Sequence, residues 1–205
     1  MVRDEEREAQ LGVIRDAVAL EAPPLGQGRA SNLAEFAGRM RTLATDEFAF
    51  EDARKQVFVA TFDRRNLSNS PTIGTIQGRN VLAFPGEYDF DRRTYALFPS
   101  LWYDHQTGRE FGDRFFPEET DSCLLVATIP LDEVAARRWK AAFDDGTLRL
   151  TLWFRFLSVE RRGGRASTRH PGMAANDLVF RVEVLAYDDH QTPAGEGGKS
   201  NREPR

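Results

Sequence analysis

Residues Thr147 to Asp189, TLRLTLWFRFLSVERRGGRASTRHPGMAANDLVFRVEVLAYDD, decide how this chain folds. Leu148, Leu150, Leu152, Phe154 and Phe156 alternate with Arg149, Thr151, Trp153, Arg155 and Leu157. That is the period of a strand with one face in a core. Leu178, Phe180, Val182, Val184 and Ala186 repeat the pattern against Val179, Arg181, Glu183 and Leu185. Two such runs predict one long antiparallel hairpin. Its connection holds Arg161, Arg162, Arg165, Arg169 and His170 among Gly163, Gly164, Pro171 and Gly172.

Upstream, Pro130 starts a predicted helix in which Leu131, Val134, Ala135, Arg138 and Trp139 share a face, running to Phe143. Asp144-Asp145-Gly146 stops it. Ser122 to Ile129 is predicted as a strand. Phe111 to Phe116 is an edge-strand candidate ended by Pro117, and Asp104 to Gly108 is read as a turn. Tyr88 and Phe90, then Tyr95 and Leu97, alternate with polar residues around an Asp91-Arg92-Arg93 break. Thr72 to Phe84 reads as two short strands around Gly78, and Val57 to Phe62 as a central strand apolar on both faces.

The N-terminal quarter has helical composition. Asp4 to Leu20 carries a modest stripe of Leu11, Ile14 and Val18, ended by Pro23 and Pro24. Asn32 and Glu35 look like a capping box ahead of Leu33, Phe36, Met40 and Leu43. Asp46 suits the cap of a short helix to about Arg54, turning Phe48 and Phe50 inward. Thr192 to Arg205 holds almost nothing apolar and is expected to be a disordered tail. The expected organisation is residues 1–30 as a helix and Pro/Gly linker, 31–191 as one domain, and 192–205 as tail. The fold class is α+β: N-terminal helices, then a mostly antiparallel sheet or β-sandwich with one internal helix packed on it.

A chain of 205 residues can bury a sizeable core without staples. Its formal charge of −4 argues against general nucleic-acid binding. No run approaches the apolar length of a membrane span, and the charged N-terminus lacks the apolar core of a signal peptide. Cys123 is the single cysteine and sits in the apolar run Cys123-Leu124-Leu125-Val126-Ala127, so it reads as a buried hydrophobe. The expected location is the cytoplasm.

No phosphate cradle, nucleophile elbow or metal-ligand spacing is present, so neither cofactor nor metal is assigned. Whether the chain is an enzyme stays open. Two short segments echo each other: Tyr103-Asp104-His105-Gln106-Thr107 and Tyr187-Asp188-Asp189-His190-Gln191-Thr192. If they met, His105 and His190 with neighbouring aspartates would offer imidazole and carboxylate for metal-dependent or hydrolytic chemistry. The other candidate is the hairpin connection. Arg161, Arg162, Arg165 and Arg169 make a local positive field on an acidic protein, suited to an acidic protein surface or a small anionic ligand. The leading reading is therefore a non-enzymatic binding module, and the enzyme is the alternative. Convergence or separation of the two histidines discriminates between them.

Overall fold

The computed structural model describes residues 12, 14–21, 29–70, 75–82, 86–106, 122–162 and 177–190. The hairpin is its central feature: β9 (Arg149–Arg162) pairs antiparallel with β10 (Asp177–Asp188). Leu150, Leu152, Phe154, Phe180 and Val182 are buried as the alternation requires, and Val184 packs partly against the same core. Two register shifts interrupt the ladder, between Arg181 and Val182 and between Val184 and Ala186. The extra residues are Leu157 and Leu185, both exposed. A bulge leaves one residue of a strand without a cross-strand partner.

Among the described residues, the strands around this hairpin form one ten-stranded sheet rather than a sandwich. Its other strands are β1 (Val18–Ala19), β2 (Phe58–Asp63), β3 (Leu67–Ser70), β4 (Thr75–Leu82), β5 (Glu87–Asp89), β6 (Thr94–Leu97), β7 (Pro99–Gln106) and β8 (Ser122–Pro130). The main order is β1-β2-β9-β10-β8-β7-β4-β3. Pairing is mixed: β1 runs parallel to β2, and β8 parallel to β10. β6 and β7 lie end to end along the same side of β8, separated by Phe98.

This sheet cannot be flat. Only the 3-10 turn Arg64–Asn66 links β2 to β3, yet they stand six places apart in the strand order. Six strand spacings amount to about 29 Å in a flat sheet, whereas so short a link reaches about 14 Å. The sheet therefore curls into a half-barrel. Its inner face holds Phe58, Ala60 and Phe62 of β2, Cys123, Leu125, Ala127 and Ile129 of β8, and the hairpin stripe.

Among the described residues, three helices have defined bounds: α1 (Arg29–Thr45), α2 (Glu47–Arg54) and α3 (Glu133–Asp144). α1 begins before Asn32, so that residue lies inside the helix and is not its cap. The apolar stripe locates a helix face but not its first residue. Phe36, Ala37 and Met40 are buried, Phe36 lying edge-on to Trp102 with ring centroids 5.8 Å apart. Asp46 caps α2 as expected, accepting from the backbone N–H groups of Phe48 and Ala49. Phe50 turns inward toward Phe156 as expected, but Phe48 points to solvent.

α3 is capped by Asp132 and buries Ala136, Trp139, Ala142 and Phe143. Val134, expected on that face, is 79% exposed. The two large rings, Trp139 and Phe143, set the helix rotation, since they bury far more area than Val134 and Ala135 together.

Other expectations shift in the same way. Val18 and Ala19 form a strand, not the end of a helix, because Val18 and Leu20 donate to Val57 O and Val59 O. β4 passes straight through Gly78 as one strand, and Asn80 takes a φ of 46° within it. Asn is among the few side chains that tolerate such a conformation. Asp104 to Gln106 belong to β7, not to a turn. The edge strand expected at residues 111–116, the hairpin connection 163–176 and the tail lie outside the described residues.

Gly86 is a position where size alone decides. A Cβ there would run into the Tyr95 ring and the Ala96 carbonyl oxygen of the neighbouring β6. Gly86→Ala is expected to cost about 1–3 kcal/mol by overpacking, read as a lower urea midpoint with an unchanged slope. An unaltered midpoint would mean that β5 and β6 separate freely.

Candidate functional site

The register of the sheet decides whether the two histidine segments meet. Tyr103 pairs with Ser122 and Ser122 with Asp177, so His105 stands at the end of the sheet where β10 begins. His190 follows Asp188, where β10 ends. Twelve residues of β10 intervene, on the order of 35 Å at roughly 3.3 Å per residue. The two segments do not converge. Among the described residues, no three His, Cys, Asp or Glu side chains gather as a metal-binding group.

His190 nevertheless has a defined environment. Its Nε2 lies 2.7 Å from Thr151 Oγ1, and that hydroxyl lies 2.8 Å from Thr61 Oγ1 on the adjacent strand. The backbone N–H of His190 donates to Asp188 Oδ1 at 2.8 Å, closing a tight turn in which His190 has a φ of 49°. An imidazole on a hydroxyl is the contact a base-activated nucleophile uses. Here the third member is out of place: Asp188 Oδ2 is 3.8 Å from Nδ1, beyond hydrogen-bond reach. Thr151 is also buried and held by Thr61. The arrangement is a clasp that ties the end of β10 across β9 to β2.

Asp189, the next carboxylate, does mechanical work as well. Its Oδ2 accepts from Arg138 Nη2 at 2.7 Å and from Trp139 Nε1 at 2.9 Å, fastening the strand end to α3. The motif Asp188-Asp189-His190 thus serves two anchors, one on each side of the sheet. Period-two reading ends where the strand ends, so it carried no signal for this.

Cys123 is fully buried, and desolvation pushes its thiol well above the ordinary range. It is packing, not a nucleophile.

At the opposite end, Arg161 and Arg162 occupy the last rungs of β9, opposite Leu178 and Asp177. Arg161 is exposed, and Arg181, opposite Ser158 three rungs away, pairs with Glu160 at 3.7 Å. Arg165 and Arg169 lie outside the described residues. The other arginine pairs do not join them. Asp63 pairs with Arg149, which places Arg64 and Arg65 at the far end of β9. Thr94 pairs with Pro130 at the end of β8, so Arg92 and Arg93 also lie at the far end.

Trp153 sits on the outer sheet face, half-buried, beside Val59 and Ala186. No family model, no curated protein and no solved structure matches this chain.

Proposed function

We propose that the protein is a non-enzymatic binding module that captures an anionic partner, an acidic protein surface or a small anionic ligand, through Arg161, Arg162, Arg165 and Arg169. The observation that supports this reading is the position of Arg161 and Arg162. They stand on the final rungs of the longest strand pair of the sheet, and Arg165 and Arg169 follow them in sequence. A rigid base under a cationic segment lowers the ordering cost of capture. Arginine suits the task because its planar fork pairs bidentately with carboxylate or phosphate. The separation of His105 from His190 along the whole of β10 favours this reading over a two-histidine enzyme. A reducing compartment such as the cytoplasm suits a chain with one unpaired cysteine.

The test is fluorescence anisotropy with a labelled polyglutamate peptide at low and physiological ionic strength. Wild-type protein is expected to bind and to weaken with salt. A variant carrying Gln at all four arginines is expected to lose about tenfold or more in affinity, or about 1.4 kcal/mol, with an unchanged urea midpoint. Equal affinity and equal salt response in both proteins would overturn the reading.

A further inference from the structure

The outer face of the sheet has no described helix over it. Phe36 of α1, Phe50 of α2 and Trp139 of α3 all join the inner core, so each of these helices packs on the inner side. The two bulges of the hairpin act on the other side. Phe156 and Val159 both face the core, so Leu157 and Ser158 between them both turn outward. Val184 packs on the core and Tyr187 lies edge-on to Trp139, so Leu185 and Ala186 between those two turn outward as well. Each bulge thus adds one leucine to the outer face, and these leucines are 48% and 37% exposed.

The leucines do not stand alone. Val59, Trp153 and Ala186 form one outward rung across β2, β9 and β10, each half-buried. Val126 of β8, also half-buried, stands opposite Arg181. The charges among them balance: Arg155 faces Glu183 across the ladder, and Arg181 pairs with Glu160 at 3.7 Å. Two bases and two acids sum to zero there, on a chain whose formal charge is −4.

We propose that this outer strip of β9 and β10, with Val59 and Val126 at its margins, is the surface on which a second copy of the chain packs, sheet on sheet, about a twofold axis. A twofold contact uses the same patch on both copies, so the patch has to complement itself. Alternating base and acid meets that condition, because a base of one copy can face an acid of the other. A strongly charged partner would find no matching field. The half-barrel is convex on this side, which confines contact to a strip three strands wide. Three strands span about 14 Å and twelve residues of β10 about 35 Å, or about 500 Å² of face per copy. The total of about 1,000 Å² reaches the lower bound for specific association and falls well short of an obligate dimer. The dimer is therefore weak and reversible, with a Kd in the micromolar range. This surface goes beyond the hairpin reading and does not rest on it.

Sedimentation equilibrium of the full chain, from low micromolar to near-millimolar concentration, tests the assignment. The mass is expected to rise from monomer toward dimer across that range. Leu157→Lys is expected to weaken self-association by about tenfold or more, since it sets an unpaired charge inside the contact. Its urea midpoint should stay unchanged, because the side chain is exposed in the monomer. Leu185→Lys is expected to do the same, so the result does not hang on the folding of one variant. Phe48→Lys, at a 76% exposed position on α2, is expected to leave self-association as it is in wild type. A monomer at every concentration would give the face to a different occupant and overturn the proposal. So would equal self-association in wild type and both leucine variants, or a loss confined to Phe48→Lys.

Discussion

Phe154→Ala is expected to lower the free energy of unfolding by about 3–5 kcal/mol, the transfer term plus the cavity left behind. Phe154 has no exposed surface, and its ring lies 6.2 Å from Phe58 and 5.8 Å from Phe156. Those rings belong to β2 and to β9 itself, so the cavity would open at the strand junction. Collapse into it is restricted because Phe156 already packs 4.9 Å from both Phe58 and Phe180. Chemical denaturation gives the measurement. A neutral result would remove the hairpin stripe from the core and with it the basis of the fold.

Trp139→Ala should be of similar size, about 3–5 kcal/mol. Trp139 is the largest fully buried side chain, set edge-on between Tyr95 at 5.9 Å and Tyr187 at 5.3 Å. Its indole N–H also serves Asp189, so the truncation loosens α3 from β10 as well as emptying the core. Trp139→Phe separates the two effects. It keeps a ring in place but removes the donor, and Arg138 still neutralises Asp189. Its loss should include about 0.5–1.5 kcal/mol for the hydrogen bond and a smaller cavity term than alanine leaves. If phenylalanine costs as much as alanine, the bond to Asp189 dominates and the packing account of α3 is wrong.

The α+β class was legible because alternation is a local signal. Leu150 to Phe156 and Leu178 to Val182 announce one buried face without knowing their neighbours. Asp46 was equally readable, since a cap acts on N–H groups two and three residues away. What failed was whatever depends on distant partners. Nothing near Leu178 says that β8 will lie parallel to it, so a mixed sheet looked antiparallel. Nothing near Val134 says that Trp139 and Phe143 will outweigh it in choosing the helix face. The histidine segments look alike in sequence, yet their separation follows only from the register of three strands.

The order of synthesis gives the central strand of this sheet an unusual place. β10 lies between β8 and β9, yet among the described residues it is the last strand made. Thr61 on β2 must wait for Thr151, 90 residues later, to complete their cross-strand pair. Loop-closure entropy of this kind slows folding, because long-range pairing must be formed before it is rewarded. A nascent chain stopped at Thr147 holds β2 and β8 with their main partners still unmade, each presenting an open ladder of backbone donors and acceptors. Such edges recruit other strands. During translation, the stretch before β9 emerges is therefore when this protein is most exposed to aggregation, and a chaperone that shields sheet edges would act there.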